Sequence, residues 1–192
     1  MDMEKNAVCR AIDYTGRNVI VTGGASGAGV GIAHRFAEAG ANVAITYHSN
    51  GAAAAEKVEA LRAFGGKAEA YALDQRDVDS IPGVLNAIAR DFGGIDVLMN
   101  NAGIYPHQNN LDMSREEWDE MQESNTRGVY FLCQAAAKIM KEQKEGGAII
   151  NVSSINATCP SDTLVHYGTS KAAVEFLTRG LAHDWGKYGI RV

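Results

Sequence analysis

Short apolar runs that give way to glycine-containing turns and then to helix-period stretches constrain this chain more than any other feature. Residues 17–22 (RNVIVT) read as a buried strand and 27–39 as the helix after it. Residues 42–47 (NVAITY) and 52–64 repeat the pair, as do 67–73 and 79–92. Residues 97–100 (VLMN) form a fourth strand, 115–144 a long helix with a bend at Asn125-Thr126, and 148–153 (AIINVS) a fifth strand. A further helix covers 167–188, and Ile190-Arg191-Val192 opens a sixth strand. Strands buried on both faces read as continuous apolar runs, and strands alternating with helices require crossovers. The expectation is an α/β fold, a doubly wound parallel sheet with helices on both faces, in a single domain over residues 1–192. Residues 1–14 lack a clear period and read as a partly disordered extension.

Size and charge narrow the function classes. A chain of 192 residues suffices for one domain with a substantial core. The net charge of -5 and the absence of a Lys/Arg run argue against nucleic acid as a partner. No apolar stretch approaches the ~20 residues that span a bilayer, and the acidic N-terminus lacks a signal-peptide layout. Cys9, Cys133 and Cys159 are odd in number and far apart, so they read as free thiols, and no metal-ligand cluster stands out. A cytoplasmic protein is expected.

Two motifs carry chemistry. Residues 22–29 (TGGASGAG) follow the first strand and open the first helix, with Gly23, Gly27 and Gly29 spaced G-x-x-x-G-x-G. Such a loop lets backbone approach a pyrophosphate while a helix N-terminus presents free N–H groups, although glycine turns also serve only to join strand to helix. The second motif is Ser154 thirteen residues before Tyr167, with Lys171 four residues further on. Residues at i and i+4 share a helix face, so an ammonium can sit beside a phenol whose free pKa is about 10 and favour its ionised form. A serine could then donate to a substrate oxygen. Tyr and Lys at this spacing also occur by chance, so the rest of the chain must decide.

Residues 22–29, Asn100-Asn101-Ala102-Gly103, Asn125, Ser154 and Tyr167-x-x-x-Lys171 stand in the order and spacing of the short-chain dehydrogenase/reductase family. From about residue 14 to 192 the chain resembles that family, and within it the 3-oxoacyl-carrier-protein reductases and the glucose and polyol dehydrogenases. The resemblance implies a Rossmann-type sheet and an oxidoreductase that moves a hydride between a nicotinamide cofactor and a carbonyl or secondary alcohol. It assigns Gly23, Ser26, Gly27 and Gly29 to the cofactor's phosphates and ribose, and Asp74 to the adenine, with a capping role for Asp74 as the other reading. Asn101, Ala102 and Gly103 would pass the cofactor ribose, while Asn100 would serve the sheet.

By the same resemblance Tyr167 is the acid in reduction and the base in oxidation, and Lys171 lowers its pKa and holds ribose hydroxyls. Ser154 would polarise the substrate oxygen, and Asn125 would hold a water that completes a proton relay. Ser153 is set aside because the thirteen-residue spacing selects its neighbour. His34 and His183 read as surface or packing residues, whereas His166 either lines the substrate site or is structural. The end of the second strand carries Tyr47 and His48-Ser49-Asn50 with no acid in reach along the sequence, which favours NADP over NAD, with His48 among the contacts.

The resemblance also implies that the chain stops at the start of its sixth strand, short of a lid and most of the last two strands. The expected partners are a small carbonyl or alcohol and, for the longer protein, a second or fourth copy of the chain. A nucleotide-binding or scaffold protein without turnover is the alternative, favoured for the piece in isolation. Sugar, polyol, ketoacyl and steroid substrates are not separable, because their contacts fall in residues 104–110, 155–166 and beyond.

Overall fold

The computed structural model describes residues 12–192; the expected disordered extension lies largely outside them, as does Cys9. Six parallel strands form one sheet of order β3-β2-β1-β4-β5-β6. They are β1 (Asn18–Val21), β2 (Asn42–Tyr47), β3 (Ala68–Ala72), β4 (Val97–Asn100), β5 (Gly147–Asn151) and β6 (Ile190–Arg191). Val19 stands beside Val43 on one side and Val97 on the other, so the central strand is in register with both neighbours. β6 contributes two residues, with Ile190 paired to Gly147.

Side-chain alternation along β1 divides the core into two layers. Val19 and Val21, with Val43 and Ile45, pack under α1 (Gly27–Glu38) and α2 (Gly51–Arg62) through Ala33, Ala37, Val58 and Leu61. Ile20 faces the other way, with Leu98 and Ile149. They meet α3 (Ile81–Phe92), α5 (Val129–Lys141) and α6 (Val165–Trp185) through Leu85, Ile88, Leu132, Met140 and Val174. The chain winds from β1 towards β3 and then returns to add β4 on the other side of β1. A crevice therefore opens beyond the carboxyl ends of β1 and β4, the usual ligand position in open sheets of this kind.

The expected single helix over 115–144 is three pieces. α4 (Arg115–Gln122) opens with a capping box in which Ser114 and Glu117 satisfy each other's backbone N–H. A π-helical segment, Glu123–Gly128, follows, and α5 continues to Lys141. The expected bend at Asn125-Thr126 is thus a wider turn, a feature frequent at functional sites. Gly128 ends it where a Cβ would lie 2.5 Å from the Gln75 carbonyl oxygen. Only a glycine lets the helix pass this close to the loop after β3. The tyrosine helix α6 starts at Val165 and passes at Gly186 into a short 3-10 turn ending at Tyr188.

Candidate functional site

The crevice is a cavity of about 740 Å³ running from the glycine loop past His48 and Asp74 to Tyr167 and Lys171. Gly23 has a left-handed backbone, φ 63°, and a Cβ at Gly29 would lie 2.3 Å from the Gly23 carbonyl oxygen. The loop therefore folds back on the start of α1, an approach only glycine permits at Gly29, while Gly23, Ser26 and Gly27 line the cavity. Ser26 is the exposed N-cap of α1, and its hydroxyl makes no capping bond. A bare helix N-terminus beside a glycine cradle fits a pyrophosphate.

Thr22 stitches this loop to the β4 loop. Its Oγ1 accepts from the amides of Asn101 and Ala102, both at 3.0 Å, and its carbonyl accepts from Asn101 Nδ2 at 2.9 Å. Asn101 thus spends its amide on architecture, while Ala102 and Gly103 present backbone to the cavity. Asn100 is structural as expected, its Nδ2 donating to Asn151 Oδ1 at 2.8 Å and to Cys133 Sγ at 3.2 Å. Burial pushes the Cys133 thiol up to about 12, so it behaves as a packing residue.

At the far end of the cavity folding supplies what the order of residues concealed. No acid follows β2 in sequence, yet His48 Nε2 lies 3.4 Å from Asp74 Oδ2. Arg76 clasps the same carboxylate, Nη2 to Oδ2 at 2.8 Å, and reaches Glu120 with Nη1 at 2.7 Å. The hydrogen bonds from Arg76 hold the Asp74 carboxyl below the ordinary carboxylate range. Asp74 Oδ1 also accepts from the Arg76 amide at 3.0 Å, a local turn and not a helix cap, since the next helix has Ser80 at its N-cap. An acid and a cation therefore both stand at this end, brought by β3 rather than β2. Arg76 and Gln75 were missed because their placement depends on the pairing of β2 with β3.

At the other end, Lys171 is buried and its Nζ donates to the Val152 carbonyl at 2.8 Å. The ammonium lies 5.8 Å from the centroid of the Tyr167 ring. Burial pushes the Lys171 pKa below its ordinary value. Gly168 lets α6 start close to the loop after β5, since a Cβ there would stand 2.6 Å from the carbonyl oxygen of Asn156 in the 3-10 turn Ile155–Ala157. Asn125 is fully buried at the π segment; its Oδ1 accepts from the Ile104 amide at 2.9 Å and its Nδ2 donates to the Ile104 carbonyl at 2.8 Å. A Cβ on Gly103 would meet Asn125 Oδ1 at 3.1 Å and Lys171 Nζ at 3.8 Å, which places these three groups together.

Ser154 is the N-cap of the 3-10 turn Ile155–Ala157, its Oγ accepting from the Asn156 amide at 3.2 Å. It and Asn125 stand beside the cavity rather than in its lining. Ser153 turns away to Glu175 at 2.8 Å. Of the two readings of His166 the structural one fits: it does not line the site but is fully buried, with both ring nitrogens lacking a hydrogen-bond partner among the described residues. Successive residues of α6 point about 100° apart, so Tyr167 facing the cavity turns His166 into the packing against α4.

A glycine-cradled crevice at a sheet switch point, ending in a tyrosine and a buried lysine, defines a dinucleotide-dependent oxidoreductase. The profile of the short chain dehydrogenase family matches residues 17–192, and the chain belongs to that family. It is 43% identical over 178 residues to an L-rhamnose 1-dehydrogenase (NAD(P)(+)) of Azotobacter vinelandii, covering 91% of this chain and 70% of the relative. It is 34% identical over 185 residues to glucose 1-dehydrogenase 2 of Bacillus subtilis, covering 94% and 70%. A short chain dehydrogenase from Burkholderia cenocepacia, solved in complex with NADP, superposes with TM-score 0.88 at 38% identity, covering 93% of this chain and 72% of that one. The protein is an NAD(P)-dependent oxidoreductase that transfers a hydride between the nicotinamide and a carbonyl or alcohol. Among the described residues no helix is long and apolar enough to cross a membrane.

Proposed function

We propose that Tyr167 is the proton donor and acceptor of this oxidoreductase, with Ser154, Lys171 and Asn125 arranged around it. The observation that carries this reading is the convergence of Tyr167 and Lys171 on the cavity that begins at the glycine loop. Gly23, Ser26, Gly27 and Gly29 would hold the pyrophosphate, Ala102 and Gly103 the ribose side, and His48 and Asp74 the adenosine end. Asn101 braces that wall. When bound, the nicotinamide supplies or accepts the hydride. In reduction the Tyr167 hydroxyl gives its proton to the substrate oxygen; in oxidation it takes the proton back.

Lys171 keeps positive charge beside the phenol and is held there by the Val152 carbonyl, with no carboxylate pairing among its described bonds. Ser154 accepts from Asn156 and has only a long 3.4 Å contact for its own proton, on Asn156 Oδ1, so its hydroxyl can rotate onto a substrate oxygen. Asn125 fixes the backbone at Ile104 and stands beside Lys171, a position suited to a water-borne proton path.

NADP is the favoured cofactor: His48 and Arg76 offset Asp74 at the adenosine end, and a relative is solved with NADP. The names of the rhamnose and glucose dehydrogenases support a sugar or polyol substrate. The free thiols of Cys133 and Cys159 support a cytoplasmic setting, and pairing of copies follows the family resemblance. Tyr167→Phe, assayed on a sugar and polyol panel with NADP⁺, should lower kcat by about 10²–10⁴-fold while cofactor affinity stays unchanged. Turnover unaffected by loss of the hydroxyl overturns the assignment.

A further inference from the structure

The loop after β4 is pinned at two points that flank an exposed aromatic ring. Ile104 is bonded through both its amide and its carbonyl to the Asn125 side chain. Three residues on, His107 Nδ1 lies 2.8 Å from Thr163 Oγ1, and the Gln108 amide donates to the Thr163 carbonyl at 2.9 Å. Between the pins stand Tyr105 and Pro106. Proline fixes its own φ and confines the residue before it to extended backbone, so the Tyr105 main chain has little freedom.

The clasp on the other loop is unusual in its own right. Thr163 is the non-glycine residue with positive φ, 63°, among the described residues. A β-branched side chain rarely adopts that conformation, which persists only where surroundings over-determine it. Here it turns one residue's carbonyl and hydroxyl onto the same neighbouring loop, two residues before α6 begins and four before Tyr167.

Tyr105 lines the cavity, is 68% exposed, and its ring centroid lies 6.2 Å from that of Tyr167. Exposed aromatic rings held rigid at the mouth of a site offer apolar area at little entropic cost. We propose that Tyr105 is a specificity-determining wall for cyclic sugar substrates, packing against the C–H face of a pyranose ring, and that the His107–Thr163 clasp is its positioning device. The inference rests on the proposed assignment of Tyr167 and deepens it, since a ring beside the proton-transfer phenol contacts the substrate next to its reacting carbon.

The test compares L-rhamnose and D-glucose with 2-butanol, an acyclic secondary alcohol, in wild type, Tyr105→Ala, Tyr105→Phe and Thr163→Val. Tyr105→Ala should raise KM for the pyranose that wild type oxidises by about tenfold and leave KM for 2-butanol within about twofold, with kcat little changed, the signature of lost ground-state binding. Tyr105→Phe should retain the wild-type KM, because the hydroxyl is not the contact. Thr163→Val keeps the β-branch but removes Oγ1, and should raise the pyranose KM by about threefold without altering cofactor affinity. Equal effects on both substrate types, or no effect on either, overturn the proposal, as does a wild-type enzyme that turns over 2-butanol but no pyranose. Tyr105 is exposed, so its truncation should not unfold the chain. A failure of the Tyr167 assignment is separately visible, as turnover that survives Tyr167→Phe.

Discussion

The two ends of the crevice are built on opposite principles. At the Tyr167 end the key groups are buried and tied to backbone: Lys171 to the Val152 carbonyl, Asn125 to Ile104. At the adenosine end they are half-exposed charges tied to one another, His48 and Arg76 on Asp74, and Arg76 on Glu120. Backbone anchors inside a low-dielectric interior fix position tightly, and each orphaned group there is expensive. Solvated ion pairs contribute little net energy and rearrange easily. Reaction geometry is therefore set where the protein is rigid, and cofactor preference where it is adjustable.

Asn125→Ala should break the comparison most visibly. It strands the half-buried amide and carbonyl of Ile104, at about 1–2 kcal/mol for each group left unsatisfied. Urea denaturation should show a loss of about 2–4 kcal/mol, with kcat falling as the group beside Lys171 is lost and the pyranose KM rising as the loop bearing Tyr105 loosens. A loss no larger than a typical surface substitution would mean that the backbone anchor is dispensable.

His166 extends the buried end to pH. Burial pushes its pKa below the ordinary 6.5, while Glu117 opposes that shift. As pH falls below 6.5 the unfolded chain binds a proton that the folded chain takes up only at lower pH, so stability declines on acidification. The limit is about 1.4 kcal/mol per pH unit, reached only between the two pKa values. His166→Gln, which cannot titrate, should flatten the difference between denaturation curves at pH 7.5 and 5.5. Identical pH slopes for the two proteins would remove His166 from the account.

The smallest effect is expected at the adjustable end. Arg76→Gln should change stability by less than about 1 kcal/mol, since its partners are partly exposed. It should also narrow the preference for NADPH over NADH, read from fluorescence titration with each. Wild-type binding of NADH at least tenfold tighter than NADPH would reverse the proposed cofactor choice.

Much of this was legible in the sequence, for reasons that differ by element. Strands buried on both faces cannot avoid apolar runs, and the edge strand β3 shows by alternation instead, so all six were visible, down to the two-residue β6. Tyr167 and Lys171 share a helix face by arithmetic alone. The π segment was visible only as a bend, because Gly128 makes its closest approach to a loop 53 residues earlier. Arg76 was invisible for the same reason: its proximity to His48 depends on which strands pair. The clasp on Thr163 left no trace, since nothing in Asp162-Thr163-Leu164 demands a left-handed backbone.

Thr22 gives the last consequence. Its hydroxyl accepts from two amides 79 and 80 positions further along the chain, so it joins the β1–β3 half to the half that begins with β4. Loop closure over that span is entropically expensive, and such contacts form only once each half has something to dock. The Ala102 amide, bonded to the Thr22 hydroxyl, is thus a clock for assembly: in pulsed hydrogen exchange during refolding it should gain protection when the halves meet, the moment a cofactor first has a floor to lie on.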